Sequence, residues 1–72
     1  MKLTAVFQKV REGYIGFVEE LPGPNTQART LKQARANLAE AVELVLRANR
    51  TLAKRSIGNR KVIRAPLVLT AE

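Results

Sequence analysis

The 72-residue sequence contains no cysteine and no histidine, and each absence removes a class of chemistry. Without cysteine, neither a disulfide nor a thiolate-held metal can brace so short a chain. Without histidine there is no side chain that titrates near neutrality for general base work, and the usual His-based triads and dyads are excluded. Zinc sites need Cys or His spacing, which this sequence cannot supply. Aspartate is missing too, so the acids are Glu12, Glu19, Glu20, Glu40, Glu43 and Glu72 alone. No inward cluster for paired magnesium ions emerges from that set. Glu19 and Glu20 are the only adjacent pair, and neighbours in a strand point to opposite faces, so solvated charges at a strand end are expected there. The glycines Gly13, Gly16, Gly23 and Gly58 form neither a Walker nor a dinucleotide-binding fingerprint. The expectation is a chain that is not an enzyme and needs no metal or cofactor. Met1-Lys2-Leu3-Thr4 lacks the apolar run of a signal peptide, and no stretch approaches the ~18 apolar residues of a membrane span. A soluble, cytoplasmic protein with no membrane partner is expected.

What the chain does carry is positive charge, unevenly spread. The net charge is +7. Six Lys/Arg face five Glu over residues 1–46, whereas Arg47, Arg50, Lys54, Arg55, Arg60, Lys61 and Arg64 face only Glu72 over residues 47–72. Such asymmetry is the compositional mark of an anionic partner, although a solvated helix end produces it as well. The length allows one domain, 1–72. A chain of this size buries only about 60% of its unfolded surface, so its own core is marginal and a homodimer or higher oligomer is expected.

Hydrophobic spacing predicts an α+β fold of order β-β-β-α-β. Between Lys2 and Lys9, Leu3, Ala5 and Phe7 alternate with Lys2, Thr4 and Gln8 at the period of a half-buried strand, and Val6 breaks the polar side. Arg11-Glu12-Gly13 makes a turn, and Tyr14 to Glu19 forms the return strand of a hairpin. Phe7 and Phe17 are expected in the core. Leu21-Pro22-Gly23-Pro24 stops that strand, because proline removes ladder donors, and a short third strand over Asn25 to Ala28 follows. Thr30 is a good N-cap, and Gln33 completes a Thr-x-x-Gln capping box. Along the helix Leu31, Ala34, Leu38, Ala41, Val42, Val45 and Leu52 fall in one sector about 100° wide, the stripe that must lie on the sheet. Gly58-Asn59 supplies the stop. Lys61 to Leu69, rich in Val, Ile and Leu, reads as a fourth strand, at an edge because of Pro66, and a parallel pairing with the first strand is allowed. One helix covers one face of the mainly antiparallel sheet. Val6, with Tyr14 or Val18, is expected on the open face.

These residues also carry a family resemblance. The run Gly13-Tyr14-Ile15-Gly16-Phe17-Val18-Glu19-Glu20-Leu21-Pro22-Gly23 resembles the HicB antitoxin signature, a hairpin strand ending in a Pro-Glu-Leu-Pro-Gly-like turn. Thr30-Leu31, Ala34 and Asn37-Leu38-Ala39-Glu40-Ala41-Val42-Glu43-Leu44 look like the helix of that family. The match spans residues 2–50. Glu19 stands where the family commonly has proline, and Ala28-Arg29 replaces its usual Gly-acid pair. The resemblance implies a truncated ribonuclease-H-like fold without nuclease carboxylates. It also implies a partner, the HicA-type RNA-cleaving toxin, which such a protein binds and neutralises; a stand-alone relative with another ligand is the near variant. The different reading is a small nucleic-acid-binding module (RNA or DNA) using the basic segment 47–64, with Arg47, Arg50, Lys54, Arg55, Arg60, Lys61 and Arg64 as contacts. Leu44, off the buried sector, and Ala48 are candidates for an oligomer contact. Leu21, Pro22 and Gly23, with the cap residues Thr30 and Gln33, are assigned structural roles.

Overall fold

The computed structural model describes residues 2–69; Met1 and residues 70–72, Glu72 among them, lie outside the described residues. Its elements are β1 (Ala5–Val10), β2 (Gly13–Val18), β3 (Asn25–Ala28) and α1 (Leu31–Ile57). The strands form one antiparallel sheet in the order β1-β2-β3. The helix lies over β3 and β2. The expected class, an antiparallel sheet with one helix on one face, is therefore what the chain adopts.

Cross-strand register assigns each side chain to a face. Phe7 pairs with Gly16 and Ala5 with Val18, while Val6 pairs with Phe17 and Gln8 with Ile15. Val18 shares the helix side and is buried to 6% exposure; Ala34 at 0% and Leu38 at 3% meet it from the helix. Gly16 is small because it must be. A Cβ there would lie 2.7 Å from Phe7 Cδ1, so the Phe7 ring fills the space that a side chain would take. Gly13 has φ +141°, which disfavours L side chains, and a Cβ would strike the Ala28 carbonyl oxygen. Lys9 and Tyr14 are register partners, and the ammonium sits 4.9 Å from the ring centroid.

The hairpin continues one step past its ladder. Glu19 N–H donates to the Thr4 carbonyl at 3.0 Å, and Thr4 N–H donates to Glu20 Oε1 at 2.6 Å. Hydrogen bonding from the Thr4 side chain, and then from its amide, holds the Glu20 carboxyl below the ordinary carboxylate range. Glu20 is thus more than a solvated charge. Pro24 is buried and closes the β2–β3 connection, beside a half-buried Leu21.

Several expectations need correction. The capping box is half built: Gln33 N–H donates to Thr30 Oγ1 at 3.1 Å, but the Gln33 amide turns forward to Asn37 Oδ1 at 2.8 Å and does not return to Thr30. Phe17 lies on the face away from the helix, 50% exposed, because the Val6–Phe17 pairing puts it opposite Phe7. For the same reason Tyr14 and Val18 belong to the helix side and not to the open face. Leu52 is 59% exposed although it continues the buried stripe, since the sheet beneath it has ended. Lys61 to Leu69 is no strand. Among the described residues the sheet has three strands, and the segment after the helix is unpaired. A run of β-branched residues becomes a strand only beside an open ladder, and this run starts far from one.

Candidate functional site

The reach of the helix past the sheet organises the surface. Val45 packs beside the β2–β3 connection, where a Cβ placed on Gly23 would lie 3.8 Å from its Cγ2, and Arg47 to Ser56 beyond it are exposed. From Val45 to Ile57 the helix advances about 18 Å at 1.5 Å per residue. The chain is accordingly elongated, with extents of 52 × 29 × 15 Å and a radius of gyration of 15.7 Å. A compact chain of this length would have about 11 Å.

Three surfaces result. The first is a groove of about 500 Å³ between β1 and α1, lined by Leu3, Ala5, Phe7, Val18, Arg35, Leu38, Ala39 and Val42. It exists because the helix covers β2 and β3 but not β1, whose outer edge has no neighbour among the described residues. The second is the outer sheet face, where Ile15 at 37% and Phe17 at 50% exposure flank a shallow hollow bordered by Asn25, Thr26 and Gln27.

The third surface is the projecting end of the helix with the extended segment. Arg47, Arg50 and Lys54 are exposed on its outer side, spaced i, i+3, i+7 so that they share one face. The remaining expected contacts are not gathered with them. Arg55 is about 100° further round the helix. Arg60 turns back: its Nε donates to the Ile57 carbonyl at 3.2 Å and its Nη2 to the Ser56 carbonyl at 2.6 Å. With Gly58 N–H donating to the Lys54 carbonyl, it satisfies the end of the helix. Lys61 and Arg64 are exposed on the extended segment. Leu44 at 55% exposure and an exposed Ala48 flank the buried stripe on the side away from the groove.

Sequence reasoning missed the groove, and with it Leu3, Arg35 and Ala39. Its signal was available in principle. A stripe wide enough to include Val42 needs more sheet than two strands provide. Among the described residues, no three His, Cys, Asp or Glu gather into a metal-binding group, and no helix is long and apolar enough to cross a membrane. No family model matches the chain, and neither a curated protein nor a solved structure matches it.

Proposed function

We propose that this chain is a non-catalytic protein-binding module of the HicB antitoxin type, with a truncated ribonuclease-H-like fold, that binds and neutralises a HicA-type RNA-cleaving toxin or, as a stand-alone relative, another protein. One observation carries the reading. The two stretches that resemble the family fall on the elements such a fold requires: Gly13–Gly23 on the second strand and its exit turn, Thr30–Leu44 on the cap and sheet-facing part of the helix. The outer sheet face, with Ile15 and Phe17 at its centre, is the surface offered to the partner. Apolar side chains framed by Asn25 and Gln27 suit a protein contact better than a phosphate backbone. The chain would act in the cytoplasm. Co-expression with a HicA-type toxin is the test: a stable complex and restored growth of toxin-arrested cells are expected, and Phe17→Asp should abolish both. Toxicity undiminished by the wild-type chain would end this reading.

The second reading, a nucleic-acid-binding module, rests on Arg47, Arg50 and Lys54 along one exposed face, with no acidic residue between Glu43 and Glu72. Binding through these groups would be indifferent to sequence and would weaken steeply with salt. Titration with single-stranded RNA and duplex DNA at low and moderate salt separates the readings. Loss of binding in a triple Gln variant at the three positions supports it, and undetectable binding at low salt removes it.

A further inference from the structure

We propose that the groove beside β1 seats residues 61–69 of a second copy of this chain, so that two copies exchange these segments reciprocally. The inference is independent of the toxin-binding reading, which uses the opposite face of the sheet. It starts from an excess of exposed apolar surface in a segment that makes no helix and no strand. Ile63 is 97% exposed, Leu67 87%, Val68 82% and Leu69 56%. Isolated exposed leucines are ordinary, but a run of this kind is not.

In an extended run the side chains fall on two sides, and only one of them is free of charge. Ile63, Ala65, Leu67 and Leu69 occupy one side at a period of two and are all apolar; Val62, Arg64, Pro66 and Val68 occupy the other. The odd-numbered side matches the groove, whose floor is Leu3, Ala5, Phe7, Val18, Leu38 and Val42. Seated there, the segment would add a fourth strand on the free edge of β1. Arg64 would keep its charge in water, and Pro66, without an N–H, would belong to a strand with one open edge.

The geometry favours a second copy over the same one. The projecting helix carries the start of the segment about 18 Å along its axis beyond Val45. An extended chain returning over that distance spends about five or six residues, so Gly58 to Ile63 would cross bare helix. Leu44 and Leu52, at 55% and 59% exposure, would stay uncovered on that path. Two copies laid antiparallel about a two-fold axis remove both deficits at once. Each projecting helix then has a neighbour, each segment enters the other copy's groove, and the contact is self-complementary, as a two-fold interface demands. Leu44 and Ala48 fall in the seam between the helices.

The test uses light scattering and isotope-filtered NMR on the full chain. Expected are a particle of twice the 8.0 kDa chain mass and, in a mixture of labelled and unlabelled protein, contacts from the Leu67 methyls to the Phe7 ring that are intermolecular. Two variants give the controls, and neither can unfold a single chain because both side chains are already exposed. Leu67→Asp should weaken the dimer by about tenfold or more, the value of a buried leucine, whereas Val68→Asp should leave it intact. A monomer at several hundred micromolar, contacts from Leu67 to Phe7 within one chain, or equal tolerance of the two variants would overturn the proposal.

Discussion

The two halves of the single helix differ in everything except their backbone. Leu31 to Val45 is held by the sheet, with Ala34 and Leu38 buried and Ala41, Val42 and Val45 half-buried. Of Leu46 to Ile57 only the two ends are half-buried and Arg47 to Ser56 is exposed throughout: Leu52 is exposed, and a Thr51 hydroxyl donating to the Arg47 carbonyl at 3.1 Å is a purely local contact. Twelve residues alone would not sustain a helix in water, because nucleation is unfavourable. Here the first half has already met that cost, so each further residue adds a hydrogen bond at the cheaper rate of propagation. Leu, Ala, Lys and Arg, common in the projecting half, are good formers. Burial makes the first half, and inheritance makes the second.

Substitutions should expose that contrast, most sharply at its centre. Leu38→Ala should cost about 2–5 kcal/mol, enough to unfold much of so small a domain. Leu52→Ala, measured in the Leu67→Asp background to keep the chain single, should cost under about 0.5 kcal/mol. Urea unfolding followed by helical circular dichroism reads both; equal losses would mean that the projecting half is packed after all. Next comes Gly16→Ala. Its methyl displaces the Phe7 ring and should destabilise by about 1–3 kcal/mol, and a neutral result in the same assay would show that the ring is free to move aside. Thr30→Ala removes the acceptor for Gln33 N–H and should cost about 1 kcal/mol, visible as loss of protection in the first helical turn while the projecting half is unchanged.

The smallest effect concerns acid. The Glu20 carboxyl has its affinity for protons lowered on folding, so the unfolded chain binds the proton more tightly. Its contribution is present above the ordinary carboxylate range and is lost as pH falls through the lowered folded value. Wild-type stability should therefore decline slightly more than that of Glu20→Gln between pH 6 and pH 3. Identical slopes in parallel unfolding curves would show that the Thr4–Glu20 contact carries no weight.

Local signals predicted the elements well, and their limits are physical. Thr30, Gly13 and the Pro22–Pro24 stop act through their own backbone neighbours, and so the hairpin, the third strand and the helix start are where the spacing puts them. The second strand was harder. Gly13-Tyr14-Ile15-Gly16-Phe17-Val18 has no alternation to read, and only pairing with β1 reveals that Val18 faces inward and Phe17 outward. Leu52 fits the stripe by angle, yet angle says nothing about how far the sheet extends. The Val62–Leu69 run fits a strand by composition, yet a strand is a relation between two segments. The basic residues were visible as a count, but their division between an exposed helix face, a helix end and an extended segment was not.

Between Leu31 and Ile57 there is neither glycine nor proline. The projecting arm is consequently phase-locked to the sheet, with no joint at which its bearing could be reset. One residue inserted after Val45 would swing everything beyond it by about 100° and advance it by 1.5 Å, while an insertion of seven would return nearly the same heading. Arm length in this fold can therefore change gracefully only by whole sets of turns, about seven or eleven residues at a time.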